Sequence, residues 1–474
     1  ERCNRKLHVC MYIRDLPYYK RLYYMEKECI KPTRLLRMAG LIGLFSGGIF
    51  TTVMGQQRAT DSLIREATLQ NVIQYALSHQ PAVHQAYINE QITENNIKSR
   101  LADWYPQLDF AYTFQHNFQL QTTIFQGNPV RIGVENISAV QFTARQNIFN
   151  RDVLLASRTA RDVRQLAQQT TASSKIDITV AVTKAYYDVL TTMLQIRAAA
   201  EDTVRLARSL RDAFNQYQAG VADRTDYKRA TIALNNSKAQ LKSNQELLEA
   251  RMEYLKSIMN YPADAPLPIV YDSLQMERDI VLDTTTGIDY NRRIEFQQLL
   301  TQRRLQEADL RYNKWSYLPS ITANGAYNLN YQNNEFGKLY STNFPNSFAG
   351  LTLAWPIFQG GKRKYNIRAS EWQLRYTDWS LQQLKNNINA EYAQALAAYK
   401  SNLVNYETLK ENLLLAQEVY DVIQLQYRSG IKTYLEVITA ETDLRTARIN
   451  YYNAINRVLA SKVDVQRALG LIAN

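Results

Sequence analysis

Tyr217-Gln218-Ala219-Gly220-Val221 and Tyr427-Arg428-Ser429-Gly430-Ile431 mark the two places where the longest Gly- and Pro-free runs of this chain stop. Arg151 to Ala219 holds 69 residues without either breaker, and Val221 to Asn260 a further 40. Lys362 to Ser429 holds 68, and Ile431 to Leu469 a further 39. A glycine closing an unbroken run reads as the left-handed cap at which a helix ends. The spacing therefore predicts two long helices, each reversing at Gly220 or Gly430 into a shorter antiparallel partner. At about 1.5 Å per residue such a run spans roughly 100 Å, wider than a globular domain of this size.

The side chains repeat with the rulers, at a shift of 210 between Gly220 and Gly430. Ala230 maps to Ala440 and Leu234 to Leu444. Upstream, Tyr105-Pro106-Gln107-Leu108 answers Leu318-Pro319-Ser320-Ile321, and Ile148-Phe149 answers Ile357-Phe358. The chain reads as a tandem duplication, with repeats over 56–262 and 290–474 joined by a linker over 263–289. In the second long run Tyr406, Leu409, Leu413, Ala416, Tyr420, Ile423 and Tyr427 alternate steps of three and four, the pattern of a coiled coil.

Between the helical runs the period changes to two. In 107–121, Leu108, Phe110, Tyr112, Phe114, Phe118 and Leu120 share one face with His116, against Gln107, Asp109, Thr113, Gln115, Asn117 and Gln119. In 138–148, Val140, Phe142, Ala144 and Ile148 oppose Gln141, Thr143, Arg145 and Asn147. The second repeat sets Ile321, Ala323, Tyr327, Leu329 and Tyr331 against Thr322, Asn324, Asn328, Asn330 and Gln332, then adds Ala349, Leu351, Leu353 and Trp355. Aromatic-rich strands of about ten residues, apolar on one face and polar on the other, carry the pattern of an outer-membrane barrel, and of half-buried soluble strands too. Four strands cannot close a barrel with a lumen, because the smallest use about eight, and open edges are forbidden in lipid. If these strands enter a bilayer, several chains must pool them; three would supply about twelve strands, with long hairpins closing into a tube.

Composition agrees with this. Only 16 Gly and 11 Pro occur in 474 residues, with 46% hydrophobic and 21% charged residues, so the chain is neither disordered nor a loop-rich sandwich. Lys31, Arg34 and Arg37 precede a short apolar segment, Met38 to Met54, and then Gly55, which reads as a secretory signal peptide within a leader over 1–55. Met25 or Met38 is the expected start, with 1–24 lying upstream of it. The leader holds 10 Lys and Arg against 4 Asp and Glu, so its removal takes the net charge from +12 to +6 and removes the main support for nucleic-acid binding. Cys3, Cys10 and Cys29 leave with it, which predicts a cysteine-free mature protein.

These marks resemble the TolC-like outer membrane factors, over about 60–470 of the chain. The duplicated Tyr-x-x-Gly turns, the strand start Tyr317-Leu318-Pro319-Ser320-Ile321, and Trp355-Pro356-Ile357-Phe358-Gln359-Gly360-Gly361 before the second long helix carry the resemblance. It implies a mixed α and β membrane protein, a homotrimer with a twelve-stranded outer-membrane β-barrel above a periplasmic α-barrel. It also implies service as the exit duct of a tripartite efflux or type I secretion system. The implied partners are a periplasmic adaptor (membrane fusion) protein, an inner-membrane pump of RND or ABC type, and outer-membrane lipid. The helix turns at Tyr217, Gly220 and Gly430 are implied to meet the adaptor. By position, Asp226 matches the family's gate carboxylate and Tyr427 its gate tyrosine. Lys432 stands where the best-known member has Arg, so a bidentate link becomes a point-charge one. Glu436 matches an acidic ring, whose three carboxylates would repel one another and favour cations. Thr439 occupies the place of a second acidic ring, so that ring is expected to be absent.

Enzyme motifs are missing: there is no Gly-x-Ser-x-Gly, no phosphate loop and no His-Glu-x-x-His. His79 and His84 are five apart, which fails helical zinc spacing, and Glu407 and Glu411 read as a solvated helix face. Neither catalysis nor a cofactor or metal is expected. The competing class is a structural trimeric coiled-coil surface protein without a pore, which would need no duplicated hairpins flanking strand pairs. The transported substrate, whether drug, protein or metal, stays open.

Overall fold

The computed structural model describes residues 63–270, 273–283 and 287–472. The leader, its three cysteines and the cleavage position lie outside the described residues. Each repeat runs helix, strands, long helix, shorter helix. The first comprises α1 (Leu69–His79), α2 (Pro81–Ala102), β1 (Gln107–His116), β2 (Gln121–Phe125), β3 (Asn128–Ile132), β4 (Asn136–Phe149), α3 (Arg151–Gln218) and α4 (Arg224–Met259). A short α5 (Ser273–Arg278) follows, then α6 (Ile294–Lys314), β5 (Ser320–Asn333), β6 (Asn346–Ala354), α7 (Lys362–Arg428) and α8 (Tyr434–Leu469).

The two long helices are 68 and 67 residues, and their partners 36 each, as the breaker spacing predicts. Tyr406 and Tyr420 of the coiled-coil series are buried on α7, with Leu409, Leu413, Ala416, Ile423 and Tyr427 half-buried beside them. Each long helix is matched by two shorter ones laid end to end. The start of α2 meets the end of α4 through Gln80 Nε2 donating to the Ile258 carbonyl and Asn260 Nδ2 donating to the His79 carbonyl, both at 3.0 Å. The start of α6 meets the end of α8 where the Arg293 guanidinium donates to the carbonyls of Arg467 and Ala468 at 3.3 and 3.2 Å. The main core gathers around these junctions, with Val182, Val189, Leu255, Met259, Val458 and Leu459 fully enclosed.

The sheet has the order β1-β4-β5-β6, antiparallel throughout. Its registers set Phe110 opposite Phe142 and Phe142 opposite Tyr327, so the apolar positions of neighbouring strands line one face. Leu108, Phe110, Leu351 and Leu353 on that face are 60–79% exposed in the single chain. The opposite face is polar, with Asn324 Nδ2 donating to Thr352 Oγ1 at 2.8 Å and Asn328 Nδ2 to Asn346 Oδ1 at 2.6 Å.

Three sequence expectations are corrected here. The strand expected over 107–121 ends at His116, where the Asn117 side chain turns to the Val134 carbonyl at 2.8 Å, so Phe118 and Leu120 leave the alternating face. Residues beyond it form a separate hairpin, β2 with β3, turned at Gln126-Gly127, both with positive φ; the Gly at its tip was the available clue. A register shift between Asn147 and Phe149 takes Ile148 out of its place in the series. The last strand stops at Ala354, one residue short of Trp355, which the alternation includes. Among the described residues no helix is long and apolar enough to cross a membrane.

The end-to-end junctions use one device in two forms. Asn260 (φ 57°) and Gly470 (φ 67°), 210 residues apart, both cap their helices in the left-handed region. A Cβ at Gly470 would sit 2.8 Å from the backbone of Arg292. Asn260→Gly is therefore expected to cost about 1 kcal/mol, the value of one exposed hydrogen bond, whereas Gly470→Asn costs at least about 2 kcal/mol. Thermal denaturation of the detergent-solubilised variants checks the order; equal losses would contradict this account of the junction.

Candidate functional site

The two reversals are built alike. At the first, the Gly220 N–H donates to the Tyr217 carbonyl and the Val221 N–H to Gln216, both at 3.0 Å, with Gly220 at φ 74°. At the second, Gly430 donates to Tyr427 and Ile431 to Gln426, both at 2.9 Å, with Gly430 at φ 78°. This pair of bonds satisfies the last carbonyls of a long helix and needs a residue at ease with positive φ. The next helix is then capped: Asp223 accepts from the Thr225 N–H at 2.7 Å, which holds its carboxyl below the usual carboxylate range. In the second turn the Thr433 N–H donates to Glu436 Oε2 at 2.9 Å.

The side chains singled out from sequence fall on these turns, with partners partly different from those implied. Lys432 Nζ donates to Glu436 Oε1 at 2.6 Å, within its own turn. That ammonium, followed by the Thr433 N–H, holds the Glu436 carboxyl down at about 2. The Tyr427 hydroxyl donates to Gln216 Oε1 at 2.5 Å, a partner the sequence reading did not name. Asp226 lies in the first turn of α4. Burial pushes the Tyr427 hydroxyl up, and the Asp226 carboxylate adds to that shift. Within one chain, then, no hydrogen bond joins Asp226, Tyr427 and Lys432. The Tyr217 and Tyr227 rings lie tilted with centres 5.0 Å apart, and Tyr427 lies 5.7 Å from Tyr434. Tyr434 is enclosed with Ala213 and Ala230, which ties the two turns together through a small apolar cluster. Val221 and Ile431, each next to its turn glycine, are 79% and 72% exposed.

A charged cluster above the turns escaped the sequence reading. Asp202 on α3 and Glu441 on α8 are 3% and 5% exposed. Arg205 donates to both, reaching Glu441 Oε1 at 3.1 Å, and Arg448 reaches Asp202 at 3.0 Å. The Arg205 guanidinium also lies 5.4 Å from the centre of the Tyr420 ring. Burial raises the Glu441 carboxyl, and pushes the Tyr420 and Tyr434 hydroxyls up to about 12. Glu441 and Arg205 are 236 residues apart in the chain. Charges at helical spacing ordinarily sit in water, so sequence gave no reason to bury them.

Polar rungs continue along the α3–α8 seam. Arg467 meets Asp177 at 2.7 Å, Lys184 meets Asp464 at 2.6 Å, and Asn456 meets Asp188 at 2.6 Å. Near the turns Ser209 and Tyr434 share a 3.0 Å bond. An open groove of about 620 Å³ lies between α3 and α7, lined by Arg205, Arg208, Tyr420 and Arg428 among others. Among the described residues no group of three or more His, Cys, Asp or Glu is placed to hold a metal ion.

Comparison with known proteins matches this architecture. The outer membrane efflux protein family profile matches residues 72–260 and 290–471, most of the chain. The outer membrane protein TolC of Escherichia coli is 21% identical over 437 residues, covering 87% of this chain and 84% of its own. OprJ of Pseudomonas aeruginosa is 19% identical, covering 86% and 85%. The crystal structure of VceC from Vibrio cholerae has a TM-score of 0.68 at 14% identity, covering 85% of this chain and 96% of that one. The open-state MtrE outer membrane channel of Neisseria gonorrhoeae gives 0.67 at 18%, covering 85% and 88%. The duplicated hairpins and the four-stranded sheet agree with these matches, and the chain belongs to the outer membrane efflux protein family, as a TolC-like factor of the outer membrane with its helical part in the periplasm.

Proposed function

We propose that three copies of this chain assemble into an exit duct, closed at its periplasmic end by the two helix turns and opened there by contact with an adaptor. The observation that carries the assembly is a second apolar face on α7. Its buried face runs through Ile388, Ala395, Tyr399, Tyr406 and Tyr420. On the opposite side Tyr365, Trp372, Tyr376 and Trp379 are 64–75% exposed, and Val404, Leu415 and Val422 continue the line at 51–61%. At 100° per residue these positions form one stripe along the helix. A helix packed on one side only has no use for a second stripe. On α4, Ile232 and Tyr254 offer a complementary exposed face at the other lateral edge of the chain. The sheet matches this arrangement, since β1 and β6 are its unpaired edges.

In the assembled tube the turns converge on the axis. Asp226 of one chain then meets Lys432 of the next, and three Glu436 carboxylates ring the opening and favour cations. The adaptor is expected to dock at Tyr217, Gly220 and Gly430, with the exposed Val221 and Ile431 beside them and the α3–α7 groove above. The inner-membrane pump, of RND or ABC type, would then feed the duct from below. The repeats are read as 56–262 and 290–474, with 263–289 as the strap between them.

Replacing Trp372 and Trp379 together by Glu is expected to abolish the trimer, because two charged groups would enter an apolar seam. Light scattering of the purified protein in detergent would then report one chain rather than three; an unchanged mass would refute the seam. For the gate, Asp226→Ala combined with Lys432→Ala is expected to raise single-channel conductance several-fold in planar bilayers. The double variant conducting like the parent would remove these two residues from the gate.

The Lys432–Glu436 link also sets a pH range. The folded Glu436 value of about 2 lies below its ordinary 4.5, so the link contributes fully above about pH 4.5 and is lost as pH falls towards 2. Conductance traces should therefore be flat in this link from neutral pH to about 5 and change only in stronger acid. Lys432→Gln is expected to move the change up towards the ordinary carboxylate range, and an identical acid profile in the variant would count against the link.

A further inference from the structure

The excess positive charge of the folded chain is concentrated at one level. Immediately below the sheet lie the end of α2, the start of α3, the end of α6 and the start of α7. The corresponding windows, 100–105, 151–158, 309–314 and 362–371, hold nine Lys and Arg against four Asp and Glu. The opposite end of the sheet, 116–136 and 332–346, holds two against two. The helix turns, 211–229 and 421–436, hold six against five. Among the described residues none of the nine collar cations makes an ion pair. On the same helices ion pairs begin further from the sheet, at Arg164–Glu94, Arg304–Asp162 and Arg303–Asp378.

Three of these cations are held against aromatic rings instead. Arg151 lies 4.4 Å from the centre of Tyr312, Arg158 4.8 Å from Trp315, and Arg363 5.1 Å from Tyr317. Alternation from Leu351 and Leu353 puts Trp355 on the apolar, lipid-directed face, and its indole N–H donates to the Tyr317 carbonyl at 3.1 Å. Arg363 donates to the Pro356 carbonyl, while its Nε is enclosed without a partner. Between these groups opens a cavity of about 570 Å³, lined by Arg151, Leu318, Trp355 and Gln359 among others. Aromatic rings at the edge of an apolar band mark a membrane–water boundary, and unpaired cations just beyond it attract anionic headgroups.

We propose that this collar binds anionic phospholipid headgroups of the periplasm-facing leaflet, with the cavity beside Trp355 seating one of them. The proposal rests on the membrane placement of the sheet. It explains why nine cations gathered at this level have no carboxylate paired with them. It also explains why the charge is one-sided: the other end of the sheet is neutral.

The test uses the full chain purified in detergent and then exposed to vesicles of equal phosphatidylglycerol and phosphatidylethanolamine, with bound lipid counted by native mass spectrometry. The parent is expected to retain phosphatidylglycerol at least about tenfold over phosphatidylethanolamine, given roughly 1 kcal/mol per surface cation. Lys314→Gln with Lys362→Gln and Lys364→Gln should bring that ratio close to one, while Lys238→Gln with Lys242→Gln on α4 leaves it unchanged. Equal retention of both lipids by the parent overturns the proposal, and that measurement decides even if the triple variant fails to assemble. A parent-like ratio in the triple variant also overturns it. So does loss of the preference in millimolar inorganic phosphate, which would mark a free-phosphate site. Conductance in phosphatidylethanolamine bilayers, measured alongside, separates the two readings: channels without lipid preference sink the collar only, and no channels sink the duct.

Discussion

Two strand edges govern this molecule. Among the described residues no strand pairs with the outward backbone N–H and C=O groups of β1 and β6. In hydrocarbon each such group costs several kcal/mol, and no side chain can relieve a whole row of them. The four strands alternate in direction, so β6 of one copy laid against β1 of the next continues the antiparallel ladder without a mismatch. An even number of strands per chain makes this possible for any number of copies. The helical part obeys the same need by other means. Apolar stripes, rather than open backbone, are left exposed on α7 and α4, and a helix tolerates this in water because its own backbone groups are already paired.

The helical wall keeps one thickness along its length because each long helix is backed by two short ones. Above the junctions α2 and α6 flank α3 and α7, and below them α4 and α8 do so. Two helix ends meeting head to tail would leave carbonyls and N–H groups exposed to one another. The Gln80, Asn260 and Arg293 side chains fill that need, which is why the core is thickest there. Arg293 is 5% exposed and held by Glu295 and Glu391, so its charge is compensated where it is buried.

Much of this was legible because it depends on local residues. The limits of α3 and α7 follow from where Gly and Pro stop, and the turn geometry follows from one glycine each. Strand alternation was legible for β4, β5 and β6 as well, since period two needs only neighbours. The failures share a cause. Gln107 to Gln121 alternates without a break, yet the strand stops at His116, because Asn117 spends its side chain on a carbonyl 17 residues away. Tyr427 bonds Gln216 across 211 residues, and Glu441 meets Arg205 across 236. Contacts of that separation leave no periodic trace in either segment. Resemblance to a family placed Asp226, Tyr427 and Lys432 near one another without saying which atoms would meet.

The buried cluster ties the two hairpins together above the turns. Near the turns α3 is tied to the second hairpin by two neutral hydrogen bonds, Ser209–Tyr434 and Tyr427–Gln216. Such bonds exchange with water at a net cost of about 1 kcal/mol each. One or two turns higher the ties are Asp202, Arg205, Glu441 and Arg448. Breaking a buried pair so that one charge stays enclosed costs about 3–5 kcal/mol. A separation starting at the turns would break the neutral bonds and uncover the Ala213, Ala230 and Tyr434 cluster before reaching this level. Glu441 carries one oxygen without a hydrogen bond, and burial raises its carboxyl against the pull of the Arg205 guanidinium. The first charged ties above the turns are therefore the Arg205 and Arg448 guanidinium groups, each bonded to a carboxylate of the cluster.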